Sequence, residues 1–352
     1  MNHYPSNVKE KLNSIILSMA EHHWLFSQNP GHDFTRQHLG KLSFYDTMRL
    51  IISMGKGSTN DEIMDYFDLD PDLIPSQSAF CQRRRQISLS AFEYLFLEFS
   101  SSFPSTTDKF KDHCILACDG CHVVYATNSD IIEDYNKPRL IDYKGYNHMH
   151  LNGFVDVISK AFLDVVIQPG QQPDEREALH SMLDHFTPDD PQKYIITADR
   201  GYESYDLLFH CELKNLGYVF RVKSPSSPKS ILSYYASELP DDLEEFDVTI
   251  KRFFTDKSTN IMKSQSDVYR YINPSKNTPH FYELLRKNHS HLYFLQFRVV
   301  KIKTTENTYE YLITNLPFSF TLDDIRECYH WRWGIEVSFR YLKHAAGLLY
   351  FH

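Results

Sequence analysis

The chain has 352 residues, enough for two or three domains of ordinary size, each with its own core. Hydrophobic residues make up 42% and charged residues 24%, the balance of a soluble globular protein rather than a disordered or fibrous one. The net charge of -9 argues against simple electrostatic attraction to nucleic acid: cations for such a partner would have to be concentrated in a local groove.

No apolar run approaches the roughly 18 residues of a membrane span. The N-terminal SIILSMA is too short for a signal peptide and lacks its small-residue cleavage pattern, so a cytosolic protein with no membrane partner is expected. Residues 1–108 read as a helical domain. FYDTMRLIISMG has helical apolar spacing and stops at Gly55 and Gly57. Thr59 and Glu62 have the spacing of a capping box ahead of EIMDYFDL. After Pro71 and Pro75, Ser76 and Ser78 offer caps for AFCQRRRQIS, which carries Arg83, Arg84 and Arg85. A short helix, a turn and a basic second helix over 59–88 resemble a helix-turn-helix. A small bundle with a basic solvent face gives the same pattern.

The character changes near residue 113. Cys114 opens a short apolar strand ending on Asp119, and HLNGFVDVIS and AFLDVVIQ are two further strands joined by a tight turn near Lys160. PDEREALHSMLDHF has helical spacing. YIITA then leads to a second acid, Asp199, and is followed by the helix ESYDLLFHCELKNLG and the strand YVFRVK. The order β-β-β-α-β-α-β gives a mixed α/β core over 109–223 and 309–352. Between them, 224–308 is broken by Pro225, Pro228 and Pro240 and reads as a β-rich insertion. Thr321 caps the last helix.

Cys114, Cys118 and Cys121 form C-x3-C-x2-C, but no second CxxC or HxxxH pair accompanies them, so buried reduced thiols are expected rather than a zinc site. His148 and His150 on one strand read first as a solvated or hydrogen-bonded pair. The last helix holds the most informative pattern, Tyr329-x2-Arg332-x3-Glu336-x6-Lys343. At about 100° per residue these four side chains fall at roughly 0°, 300°, 340° and 320° of one helix. Such a stripe is a solvated face or a site, and the two strand-ending acids upstream favour a site. Asp119, Asp199 and Glu336 converging on one spot would repel unless cations neutralised them. An oxygen-only ligand set suits Mg2+ or Mn2+, and a pair of such ions serves in-line phosphoryl displacement.

CDG at 118–120, ADRGYES at 198–204 and the Tyr-Arg-Glu-Lys signature, in this order, resemble the DDE transposases of bacterial insertion sequences, in a cut-and-paste subgroup, over roughly residues 40–352. The resemblance implies a ribonuclease-H-like fold with Asp119, Asp199 and Glu336 as ligands of two Mg2+ ions, Mn2+ substituting. It implies hydrolysis at the terminal inverted repeats of a mobile element and transfer of the freed 3′ hydroxyl, through a hairpin, to target DNA. It implies that Tyr329, Arg332 and Lys343 hold double-stranded DNA near the cleaved end. A homodimer forms in the synaptic complex of such enzymes, and the location implied is the cytoplasm, at the nucleoid. Two departures stand out. The three tryptophans are Trp24, Trp331 and Trp333, so none lies in the insertion to stack on a flipped base. Nine residues follow Lys343, fewer than relatives carry, and a C-terminally truncated copy or fragment is expected. Alternatives on the same fold are a metal-dependent nuclease or resolvase and an inactive DNA-binding remnant.

Overall fold

The computed structural model describes residues 4–34, 42–102, 109–137, 145–273, 278–306 and 308–348. The chain divides into one unit of residues 1–104 with 341–352 and another of residues 105–340. The boundary expected at residue 108 lies outside the described residues, as do the last four positions. Residues 341–352, read from sequence as part of the α/β core, group instead with the N-terminal helices.

The helical unit contains α1 (Tyr4–Glu21), α2 (Phe44–Ser53), α3 (Thr59–Tyr66), α4 (Gln77–Arg84) and α5 (Leu89–Ser101). Helix α2 starts at a capping box between Ser43 and Asp46 and supplies two clusters. Phe44 and Met48 pack with Ile16, Met19, Ala91 and Leu95, while Leu50 packs with Leu42, Ile63 and Phe80. The cap of α3 is Ser58 rather than Thr59: its hydroxyl accepts from the Asp61 amide at 3.3 Å. Glu62 instead accepts from the Gly57 amide at 2.8 Å. Residues 67–76 separate α3 from α4. That connection exceeds the three- or four-residue turn of a helix-turn-helix, so the pair is two short bundle helices. Arg84 and Arg85 are exposed at the end of α4, whereas Arg83 lies over the Phe34 ring at 5.2 Å.

The larger unit follows the order β1 (Cys114–Tyr125), β2 (Tyr135–Asn136), β3 (Tyr146–Asp156), β4 (Ala161–Pro169), α6 (Glu175–His185), β5 (Tyr194–Ala198), α7 (Tyr205–Leu213) and β6 (Gly217–Val222). It continues through β7 (Phe246–Thr255), α8 (Asn260–Ser264), β8 (Tyr269–Tyr271), α9 (Pro279–Lys287), β9 (Leu292–Thr305), β10 (Thr308–Thr314), α10 (Leu322–His330) and α11 (Trp333–His344), whose last turn enters the other unit. Strand β3 is antiparallel to both β4 and β1, and β5 and β6 follow parallel to β1. The resulting order β4-β3-β1-β5-β6 is the ribonuclease-H-like sheet expected from the sequence.

Strand β5 lies between β1 and β6, and Ile195, Ile196, Thr197 and Ala198 are fully buried. Its unbroken apolar run therefore belongs to a strand covered on both faces. Helix α6 buries Ala178, Leu179, Met182 and Leu183, one helical stripe. Helix α7 is buried nearly all round, because α9 of the insertion covers its outer side through Phe281, 4.7 Å from Phe209 between ring centroids. The insertion is not a separate layer. Its strands β9 and β7 extend the core sheet through β10, which pairs with β6, giving ten strands in one sheet among the described residues. The boundary read at 308/309 thus falls within the β9–β10 pair rather than between domains. Among the described residues, no helix is long and apolar enough to cross a membrane.

Candidate active site

Strand β1 does not end at Asp119, as read from sequence; it runs to Tyr125 because β3 continues to pair with it. What ends near Asp119 is the pairing with β5, whose last matched residues are Ala117 and Thr197. The parallel register matches Cys114 with Tyr194 and Leu116 with Ile196. The same offset carries Asp119 level with Asp199, two residues beyond the last pair. Neighbouring strands lie about 4.8 Å apart, so the two acids stand side by side where β5 gives way to a turn. This is the carboxyl end of parallel strands, where α/β sheets place their sites.

The residues around each acid explain the short motifs. Asp199 caps a 3-10 turn over Arg200–Tyr202, its Oδ1 accepting from the Gly201 amide at 2.6 Å. A Cβ on Gly201 would sit 3.0 Å from that oxygen. Tyr202 is fully buried and accepts a hydrogen bond from the Cys118 thiol at 3.5 Å, anchoring the turn in the core. Asp119 accepts from the Gly120 amide at 2.8 Å. A Cβ on Gly120 would lie 2.2 Å from His150 Nε2 and 2.8 Å from Glu175 Oε1, so glycine there makes room for that pair.

Tyr329, Arg332 and Glu336 do not share one straight helix. Helix α10 ends at His330, and α11 starts at Trp333. Across the break, amide bonds run three residues back, from Arg332 to Tyr329, from Gly334 to Trp331 and from Ile335 to Arg332. This tighter winding bends the chain. The break lets α11 approach the sheet: a Cβ on Gly334 would lie 3.1 Å from Val157, and one on Gly153 only 3.2 Å from Phe339. Gly153 is the β3 partner of Asp119.

The bend turns Arg332 inward. It is 5% exposed, with Nη2 donating to Glu336 Oε1 at 3.0 Å and Nη1 lying 3.5 Å from Asp119 Oδ2. Its guanidinium also stands 5.6 Å from the Tyr329 ring. Arg332 thus joins the first and third acids, and the register joins the first and second. Lys343 follows Glu336 by seven residues in α11 and belongs to the helical unit. Arg83, Arg84 and Arg85 belong to the helical unit.

A fourth acid, Glu175, was not singled out from sequence. It is the first residue of α6, and its Oε1 accepts from His150 Nε2 at 3.1 Å. The position of a Gly201 Cβ is 3.5 Å from its Oε2 and 3.0 Å from Asp199 Oδ1, so the two carboxylates share one neighbourhood. The only sequence sign of it was Pro-Asp-Glu opening a helix directly after the third strand. The same bond settles His150 as a hydrogen-bonded residue of the site. Cys114, Cys118 and Cys121 stand in line along β1, with Cys121 on the opposite face from the other two by strand alternation, so they do not converge.

The electrostatics show what the cluster lacks. Burial, aided by Asp199 and Glu175, outweighs the Gly120 amide and Arg332 and lifts the Asp119 carboxyl from 3.8 to about 6. Burial works against the Arg332 charge, but Tyr329, Asp119 and Glu336 outweigh it and hold its pKa above the ordinary value. Of the four carboxylates of the cluster, Asp119 and Glu336 lie against the one guanidinium, whose Nε is buried without a hydrogen-bond partner, as is the Tyr329 hydroxyl. A hard divalent cation suits an excess of oxygen donors of this kind.

The family model described as "Transposase DDE domain" matches residues 110–352, more than two thirds of the chain. No curated protein matches it. Among solved structures, the chain is similar to a piggyBac transposase in a synaptic complex with hairpin DNA, determined by cryo-EM. The identity is 10% and the TM-score 0.45, over 86% of this chain and 61% of that one, so this chain spans about three fifths of that protein's length. With its family match extending from before β1 to the C-terminus, the chain belongs to the transposase DDE domain family.

Proposed function

We propose that the protein is a cut-and-paste DNA transposase of the Tyr-Arg-Glu-Lys subgroup, catalysing metal-dependent hydrolysis and strand transfer at insertion-sequence ends. The observation that carries this reading is the level placement of Asp119 and Asp199 on neighbouring parallel strands, with Arg332 linking Asp119 to Glu336. In this reading Asp119, Asp199 and Glu336 hold two Mg2+ ions, or Mn2+, with Glu175 as a further oxygen donor. When bound, the ions supply an activated attacking oxygen and a stabilised leaving oxygen for in-line displacement. The carboxylates must be ionised to bind them, so the raised Asp119 pKa sets metal affinity falling as pH drops through about 6.

Arg332 is placed to take a phosphate with its guanidinium. The buried Tyr329 hydroxyl offers a donor to the same strand, and Lys343 a point charge further along α11. Trp331 and Trp333 flank Arg332 and are both exposed, so they offer stacking faces for an extrahelical base in place of an insertion tryptophan. The helical unit serves as the DNA-binding domain, with exposed Arg84 and Arg85 on phosphates. The partners are double-stranded DNA of the terminal inverted repeats and the target, bound by a homodimer.

The test is a cleavage and strand-transfer assay on linear DNA carrying the element ends, with Mg2+. Asp119→Asn, Asp199→Asn and Glu336→Gln each abolish cleavage while DNA binding persists; retained cleavage in any one breaks the assignment. Cleavage without joining in the unaltered protein identifies a nuclease or resolvase instead.

A further inference from the structure

Beneath α9, three histidines far apart in sequence meet: His180 of α6, His210 of α7 and His280 of α9. Their ligand atoms all lie within 4.8 Å of one another, the only such group of three among the described residues. The rings are stacked, with centroids 3.8 Å apart for His210 and His280 and 4.4 Å for His180 and His280. The Nδ1 atoms of His180 and His210 stand 2.9 Å apart, so only one of them carries a proton. The other presents a bare lone pair to the cluster.

Asp206 borders two of the three histidines. It is 1% exposed, and its Oδ2 lies 2.7 Å from His280 Nδ1 and 3.6 Å from His180 Nε2. Its other oxygen accepts from the His280 and Phe281 amides at 3.1 and 3.2 Å, so it also caps α9. Outside the cluster, Asp184 Oδ1 lies 3.2 Å from His210 Nε2. That leaves Nδ1 as the inward atom of His210 and gives it the carboxylate partner that metal-bound imidazoles characteristically have. The cluster opens onto a cleft lined also by Asp174, Glu177 and Ser204, which provides a path of entry for an ion.

We propose that His180, His210 and His280, with Asp206 orienting His280, form a transition-metal site, separate from the carboxylate cluster, that binds zinc and pins α9 of the insertion onto α6 and α7. Three imidazoles are a zinc set, unlike the all-oxygen set of the active site. Tetrahedral zinc with bonds of about 2.0–2.1 Å holds its ligand atoms roughly 3.4 Å apart, so the stacked rings turn their nitrogens onto the ion when it binds. The arrangement has a consequence for catalysis: α6 begins with Glu175 beside Asp199 and carries His180 five residues later. A metal that fixes α6 fixes Glu175.

The test uses full-length protein purified without a histidine tag and kept in millimolar Mg2+, with zinc content read by elemental analysis. Unaltered protein and Asp199→Asn carry about one zinc per chain, His280→Gln loses it, and a zinc-selective chelator lowers the melting temperature of the two zinc-carrying proteins but not of His280→Gln. Because His280→Gln can disturb folding, Asp184→Asn serves as the second variant. Asp184 is 62% exposed, so the fold tolerates the change. Its zinc dissociation constant rises roughly tenfold, the low end for loss of a carboxylate behind a ligating histidine. Unaltered protein without zinc, His280→Gln that retains it, or Asp184→Asn with unchanged affinity overturns the proposal and leaves the cluster a metal-free stack.

Discussion

Asp119→Asn should stabilise the metal-free protein, and by an amount that depends on pH. Burial beside Asp199 and Glu175 raises the Asp119 carboxyl to about 6, against 3.8 for an exposed one, even with Arg332 3.5 Å away. A raised acid costs nothing below about pH 3.8; the cost grows as the pH rises toward 6 and is complete above it. The difference corresponds to about 3 kcal/mol at pH 7.5, with roughly half already present at pH 5. The side chain is 23% exposed, so screening trims this toward the lower part of a 1–3 kcal/mol range of about that order. Asparagine keeps the shape and cannot ionise. In a unit of this size the gain raises the melting temperature by about 2–4 °C per kcal/mol. The assay is thermal unfolding of both proteins at pH 5 and pH 7.5, without added Mg2+ or Mn2+. The asparagine variant melts higher at both, and the gap widens with pH. Adding Mg2+ closes the gap, because only the unaltered carboxylate set gains the ion. A variant that melts lower at pH 7.5, or a gap that does not change with pH, would refute the reasoning that Asp119 is a buried acid awaiting a cation.

Arg332→Ala weakens binding to DNA ends and lowers the slope of log affinity against log salt by about one, measured by titration at several salt concentrations; an unchanged slope removes the phosphate contact. Glu175→Gln keeps the helix start and the His150 contact but removes one charge from the cluster, so the Mg2+ concentration for half-maximal cleavage rises several-fold, an order-of-magnitude expectation for one lost oxygen ligand. Gly120→Ala places a methyl 2.2 Å from His150 Nε2 and 2.8 Å from Glu175 Oε1. It costs about 1–3 kcal/mol in denaturant unfolding and reduces cleavage with it; full stability with full cleavage shows that the pair moves aside freely.

Much of the larger unit was legible because local periodicity reports local structure. Apart from the two-residue strand β2, which was not read, the strands and helices from Cys114 to Val222 occur in the order the alternation and helical spacing indicate. Ser76 and Thr321 cap their helices as read, since an N-cap needs only its own first turn. The interval of 80 between Asp119 and Asp199 was visible as a number. That it equals the register offset of two adjacent parallel strands follows only from the pairing of β1 with β5.

The misreadings share one cause. A helical wheel drawn through residues 321–343 cannot detect that Gly334 must meet Val157, so the bend that turns Arg332 onto Asp119 was invisible. The end of β1 was placed at an acid because the sequence does not show that β3 keeps pairing after β5 has gone. The insertion's strands were recognisable as strands, but the edge they extend is a matter of long-range hydrogen bonding. Glu175 and the histidines at 180, 210 and 280 follow no motif spacing, since each arrives on a different helix or at a different end of one. The chain by itself therefore specified the order of the main core elements and drew attention to Asp119, Asp199 and Glu336 with their Tyr-Arg-Glu-Lys company. The tertiary structure decided which charges face one another: backbone preferences act over a few residues, whereas burial and ion pairing act between residues that only folding makes neighbours.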